Sequence, residues 1–214
     1  MIRTEKAHIR RVSFTILHFF LRIICRIYFN MDVIGSANIP RNEPLIFAAN
    51  HNSNMDPVLM GLAYHREFRY MAKRELFRNV LFRWLIVFFG AFPLNRGTVD
   101  RTAIRLAISF LEKGEPVLFF PEGTRGDGSH IQEIKSGTGF IIYMAKVRVV
   151  PAVIRGSEKV MPKGSKMILP RKITVRFGRP PELEKYFKMP GCRQTYDLIT
   201  AEVQSAMRSL FAET

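Results

Sequence analysis

Cysteine is scarce here: Cys25 and Cys192 are the only two among 214 residues. Standing far apart, they give neither a disulfide framework nor a metal-ligand spacing, so nothing argues for an oxidising compartment. Tryptophan occurs once against 18 phenylalanines, which tilts the aromatic content towards apolar surfaces. Acid is short as well. The 18 Asp and Glu face 33 Lys and Arg, and the resulting net charge of +15 calls for a polyanionic neighbour: nucleic acid, an anionic lipid surface or a phosphorylated substrate. No Gly-x-Ser-x-Gly elbow is present, which argues against an acyl-serine hydrolase. Internal repeats, low-complexity tracts and interdomain linkers are missing too, so one domain with a sizeable core is expected. The remainder, 47% hydrophobic with 12 Pro and 14 Gly, is ordinary for a globular α/β protein.

Where the charge sits narrows the partner. Residues 1–30 hold six Lys/Arg and one acid, residues 66–83 six against two, and residues 155–179 eight against one. In the first two stretches the basic residues are interleaved with long apolar runs, which suits a membrane interface better than a solvated nucleic-acid face. A helix is predicted over 4–29, with Thr4, His8, Arg11, Thr15, His18, Arg22 and Arg26 forming a polar stripe on an otherwise apolar cylinder. As a membrane span, the apolar residues of Val12 to Phe29 would gain roughly 3 to 7 kcal/mol, and Arg22 and Arg26 would cost about 5 to 7 kcal/mol. The terms nearly cancel, which favours a helix lying in the interface. A signal peptide lacks its small-residue cleavage site, and a core helix is the soluble alternative. Residues 81–89 form a second, nearly all-apolar half-helix behind a basic cluster, either membrane-facing or buried.

Short apolar runs mark the strands: Met31 to Ser36, Leu45 to Ala49, Phe68 to Met71, Pro116 to Phe120, Val149 to Ile154 and Lys172 to Phe177. Helices are expected over Pro57–His65, Thr98–Lys113 and Thr195–Phe211, and Arg155–Arg171 reads as a long basic loop. Two strand exits carry chemistry. After Leu45–Ala49 comes Asn50-His51-Asn52-Ser53-Asn54-Met55-Asp56-Pro57, with Asp56 and Pro57 opening the next helix. A tight loop could fold the Asp56 carboxylate back onto the His51 ring, fixing its tautomer and leaving the other nitrogen to take a proton from a hydroxyl. On the residues alone, Asp56 as a plain helix cap stays open. After Pro116–Phe120 comes Pro121-Glu122-Gly123-Thr124-Arg125-Gly126-Asp127-Gly128, whose glycines permit close backbone approach to a phosphate. Arg96 in Asn95-Arg96-Gly97 offers a phosphate fork, and Lys135 stands at a helix start that can attract an anion.

Four stretches, Asn50-His51-(four residues)-Asp56, Gly90 to Arg96, Phe120-Pro121-Glu122-Gly123-Thr124-Arg125 and Val150-Pro151-Ala152, resemble in identity, order and spacing the motifs of the glycerophospholipid acyltransferase family. Within it they are most similar to bacterial 1-acyl-sn-glycerol-3-phosphate O-acyltransferases. The resemblance runs from about Val33 to Phe177. It implies a single α/β domain over 31–214, with a mixed, mostly parallel sheet flanked by helices, and a membrane-associating amphipathic helix over 1–30. It implies that His51 is the general base and Asp56 its orienting partner. Arg96, Glu122, Gly123, Thr124, Arg125 and Lys135 would bind or shape the acceptor site, and Pro151 would serve donor binding or packing.

The implied reaction moves a fatty acyl group from acyl-CoA or acyl-carrier protein to lysophosphatidic acid or another lyso-lipid, with no metal and no cofactor beyond the acyl carrier as co-substrate. The implied location is the cytoplasmic face of the inner membrane, on an anionic membrane surface, with no nucleic acid expected. Asn95 stands where the family's second motif usually has Asp, which leaves the acceptor open. A basic, non-catalytic lipid- or nucleic-acid-binding module on the same scaffold is the reading from another class.

Overall fold

The computed structural model describes residues 2–64, 66–94, 100–162 and 167–214. Its chain order is α1 (Ile2–Tyr28), β1 (Asp32–Ile34), β2 (Leu45–Ala49), α2 (Asp56–Ala63), β3 (Arg69–Lys73), α3 (Val80–Phe88), β4 (Ala91–Leu94), α4 (Arg101–Glu112), β5 (Val117–Phe119), α5 (Gly137–Ala145), β6 (Arg148–Arg155), α6 (Ser157–Val160), β7 (Thr174–Phe177), α7 (Glu184–Phe187) and α8 (Arg193–Ala212), with short 3-10 turns at Ser36–Asn38 and Arg74–Phe77. The seven strands form one sheet in the order β1-β7-β6-β2-β5-β3-β4. Every neighbouring pair is parallel except β6 and β7. The expected α/β domain with a mixed, mostly parallel sheet is therefore what the chain forms.

Helices cover both faces, which is why the central strands are apolar without interruption. All five residues of β2 are buried. Leu45, Phe47 and Ala49 face a layer holding Cys25 of α1 and Phe29 just after it, Leu59 and Met60 of α2 and Ile86 of α3. Ile46 and Ala48 face a layer built from Ala103 and Ala107 of α4, Ile142 of α5 and Ile199, Val203 and Met207 of α8. Each large apolar side chain so buried contributes about 1.5–3 kcal/mol. Helix α5 lies hard against α8, because a Cβ on Gly139 would fall 1.9 Å from the Tyr196 carbonyl oxygen. Helix α1 is anchored on α2, where His18 Nε2 lies 2.8 Å from the Gly61 carbonyl and 3.1 Å from that of Tyr64. Both contacts are acceptors, so this nitrogen carries a proton and donates to them.

Element ends depart from expectation in readable ways. Helix α4 begins at Arg101 because the Asp100 carboxylate accepts from the Thr102 and Ala103 amides at 3.1 and 3.0 Å, a side-chain cap that fixes its start. The apolar segment after Gly90 pairs with β3 as strand β4. The basic stretch expected as loop contains the single helical turn α6. The apolar half-helix α3 is divided: Ile86 is buried, whereas Val80, Trp84 and Val87 are exposed, Trp84 by 66%. Among the described residues, no helix is long and apolar enough to cross a membrane.

Candidate active site

Strands β2 and β5 are parallel neighbours, yet the helix after β2 packs on one face of the sheet and the helix after β5 on the other. Connections that part in this way open a crevice at the strands' carboxyl ends, where open α/β sheets place ligands. The loops carrying His51 and Glu122 both leave the sheet at this crevice.

The first loop is pinned before it reaches His51. The Asn50 side chain donates to the Ile154 carbonyl at 2.9 Å and accepts from the Ile154 amide at 2.7 Å, closing a two-bond clamp onto β6. His51 then turns back over the loop, its Nδ1 2.9 Å from Asp56 Oδ2. That oxygen also accepts from the Asn52 amide at 2.6 Å and the Ser53 amide at 2.7 Å. An ionised carboxylate is only an acceptor, so Nδ1 carries the proton and Nε2 keeps its lone pair. Nε2 has no partner among the described residues, and the ring, 15% exposed, stacks on Phe120 with centroids 4.3 Å apart.

Asp56 departs from the plain cap reading. It is the first residue of α2, with Met55 at the cap position making no side-chain bond, and its carboxylate is turned backwards to the loop amides. It is wholly buried, and its other oxygen, Oδ1, has no hydrogen-bond partner among the described residues. Holding a buried carboxylate on three donors through one oxygen sets the direction of the His51 ring.

Glu122 ties the second loop to the first. Its Oε2 accepts from the His51 amide at 3.1 Å and its Oε1 from the Gln132 amide at 3.0 Å, while the Gly126 amide donates to the His51 carbonyl at 2.7 Å. Burial pushes the Glu122 carboxyl above the ordinary glutamate range; the two amides and the His51 ring pull it back, and the nearby Asp56 charge raises it. With both oxygens on backbone amides, this carboxylate shapes the site from within.

Gly123 adopts φ +72°, and a Cβ there would lie 2.6 Å from Lys135 Cε, so the lysine side chain passes directly over the turn. Thr124 is exposed and donates to Gln132 Oε1 at 3.3 Å. Arg125 lines an open groove of about 560 Å³ beside the His51 loop, together with Asn52, Gln132 and Glu158. His51, Asp56, Glu122, Gly123 and Lys135 are thus gathered at one crevice, with Thr124 and Arg125 at its rim.

Pro151 lies apart. It sits within β6 opposite Ala48 and packs towards α8, lining a separate cavity with Arg176 and Leu210. Arg96 and Asn95 lie outside the described residues. Asn50, Phe120 and Gln132 also build the site. Asn50 opens the polar stretch and Phe120 closes an apolar run, but the bond from Gln132 to Glu122 carries no sequence signal, since it is made by the main-chain amide. Among the described residues, no three His, Cys, Asp or Glu side chains are grouped so as to hold a metal ion.

Comparison with known proteins places this geometry. Residues 30–155 match the family model described as Acyltransferase. The 1-acyl-sn-glycerol-3-phosphate acyltransferase of Streptococcus pneumoniae is 32% identical over 189 residues, covering 87% of this chain and 66% of that protein. The enzyme of the same name from Bacillus subtilis is 32% identical over 155 residues, covering 70% of this chain and 75% of its own. The crystal structure of the 1-acyl-sn-glycerophosphate acyltransferase PlsC from Thermotoga maritima aligns with a TM-score of 0.71 at 28% identity, over 96% of this chain and 83% of that one. The chain spans 66% of the pneumococcal relative's length and 40% of that of a chloroplastic relative from Arabidopsis thaliana.

Proposed function

This chain belongs to the Acyltransferase family, and from that premise we propose that it transfers a fatty acyl group from an activated thioester to the free hydroxyl of lysophosphatidic acid, forming phosphatidic acid. The observation that carries the reading is the His51–Asp56 pair, whose outward nitrogen, at the crevice between two loops, has no partner among the described residues. The names of the pneumococcal, Bacillus and Thermotoga relatives support the same acceptor.

His51 Nε2 takes the proton of the acceptor hydroxyl as its oxygen attacks the thioester carbonyl. Asp56, on Nδ1, stabilises the imidazolium that forms. The tetrahedral intermediate collapses, the C–S bond breaks, and the departing thiolate takes the proton back from Nε2 as a free thiol. Because the thioester is already activated, this sequence calls for no enzyme nucleophile and no cofactor beyond the acyl carrier. Lys135 and Arg125 supply positive charge for the acceptor phosphate, and Gly123 leaves room for the Lys135 side chain to lie over the turn. Positioning of the two substrates supplies much of the remaining acceleration.

Greasy substrates call for a membrane surface. On α1, Ile16, Phe19, Phe20, Ile24 and Ile27 are exposed, and so is Trp84 on α3. In this reading α1 lies on an anionic membrane at its cytoplasmic face, since the acyl carriers are cytoplasmic. Asn95 in place of the family's usual Asp favours a second reading in which the acceptor is another lyso-lipid.

The test is product formation by the purified chain in mixed micelles, with labelled acyl-CoA and acyl-carrier protein run in parallel. Lysophosphatidic acid is expected to be converted to phosphatidic acid, and monoacylglycerol, which lacks the phosphate, to be left untouched. Conversion of lysophosphatidylcholine or a lyso-aminolipid in its place would move the chain to the second reading. Failure with every acceptor and both carriers would overturn acyl transfer.

A further inference from the structure

The polar border of α1 holds a feature that catalysis does not use. Arg22 and Arg26 stand one turn apart and project from the same side of the helix. Both are exposed, and neither guanidinium has a hydrogen-bond or ion-pair partner among the described residues. They line a cavity of about 230 Å³ with Asp32 and Ser36, floored by Met31 and Leu62. One wall is β1, an edge strand of the sheet.

The charge in that cavity is positive on balance. Its single acid, Asp32, is already held by Lys172, with Nζ 3.0 Å from Oδ2. Arg26 lies in the last turn of α1, where it also offsets the helix's negative end, but Arg22, a turn earlier, has no such role. Beside the arginines the helix turns its apolar side outward, through Phe19, Ile23 and Ile27. An arginine at the edge of such a face sits at the level where a bilayer's phosphates lie.

We propose that Arg22 and Arg26, with the Ser36 hydroxyl, hold the phosphate of an anionic membrane phospholipid in this cavity, away from the catalytic crevice. The proposal rests on the membrane reading above and specifies the contact. Two forked guanidiniums match a phosphate, and the neighbouring apolar face takes the acyl chains of the surrounding lipids. The site fixes the rotation of α1 about its own axis on the surface, and with it the direction in which the docked sheet faces.

The test compares flotation of the full chain with vesicles of phosphatidylcholine alone and with one-fifth phosphatidylglycerol. The parent is expected to prefer the anionic vesicles. The double variant Arg22→Gln/Arg26→Gln is expected to bind them roughly 30-fold more weakly, about fivefold per basic residue. It should keep its binding to phosphatidylcholine and its transfer rate in detergent micelles. Arg101→Gln/Arg105→Gln serves as the control, an exposed pair of the same spacing on α4, which packs on the opposite face of the sheet. A loss in the control as large as in the α1 pair would reduce the effect to net charge and overturn the site. Retained preference in the α1 pair would do the same while leaving membrane docking intact. A parent that binds no vesicle yet transfers acyl groups in micelles would overturn the site and the membrane reading together, but not the chemistry.

Discussion

Replacing Asp56 by Asn separates a catalytic carboxylate from a structural one. Oδ2 accepts from His51 Nδ1 and from the Asn52 and Ser53 amides, all within 2.9 Å. Three donors converge on that oxygen, so the amide must place its oxygen there and its NH₂ where Oδ1 now stands. Geometry and the His51 tautomer are then kept, and the negative charge beside the imidazolium is lost. Opposite unit charges about 4 Å apart at an effective dielectric of 20 attract by about 4 kcal/mol. A neutral acceptor returns a little of that, so kcat should fall by about 10³-fold with KM for the acceptor nearly unchanged. The NH₂ is buried where Oδ1 now makes no hydrogen bond among the described residues, and if left unpaired there it should lower stability by about 1–3 kcal/mol. Steady-state acyl transfer and thermal unfolding on the same preparations read both quantities. A folded Asp56→Asn protein within about threefold of the parent's kcat would refute the argument and leave Asp56 a purely structural residue.

Other outcomes follow from the same contacts. Glu122→Gln turns an NH₂ towards either the His51 or the Gln132 amide, so one buried bond is lost, stability falls by about 1–3 kcal/mol and activity falls with it. Because burial raises the Glu122 carboxyl, the folded state keeps that proton to higher pH than the unfolded chain. Its contribution is therefore fully present below the ordinary glutamate range and is lost as pH rises through the raised value. Unfolding measured across that window should slope downward in the parent and flatten in Glu122→Gln; parallel curves would contradict the assignment. A thiol reagent should label one cysteine quickly in the native protein and two after unfolding. Cys192 is exposed, with its thiol lowered by the Thr195 hydroxyl, whereas Cys25 is buried on the inward side of α1 and raised by that burial. Equal rates at both would show that α1 is not docked.

What could be read from the chain follows from how each signal arises. Leu45–Ala49 was legible as a buried strand because it lies between two layers, and that run alone places His51 at a strand exit. Asp100 explains the late start of α4 through a bond that periodicity does not register. The antiparallel return of β7 on β6 depends on contacts between segments separated by a turn of helix and a basic loop, and no local pattern encodes it. In the site, spacing brought His51 and Asp56 to notice, and Phe-Pro-Glu-Gly-Thr-Arg brought Glu122. Neither revealed that Glu122 would hold the His51 backbone, because that bond joins residues far apart in sequence through a main-chain amide. Pro151 shows the converse: a recognisable motif whose side chain packs against α8, away from the crevice.

The most direct test of the central claim is acyl transfer to lysophosphatidic acid by the purified parent and by His51→Ala, with circular dichroism confirming that both are folded. The variant should lose about 10²-fold or more in kcat, because the imidazole whose Nε2 is unpartnered among the described residues is gone. A folded His51→Ala protein that transfers acyl groups at the parent's rate would contradict the account.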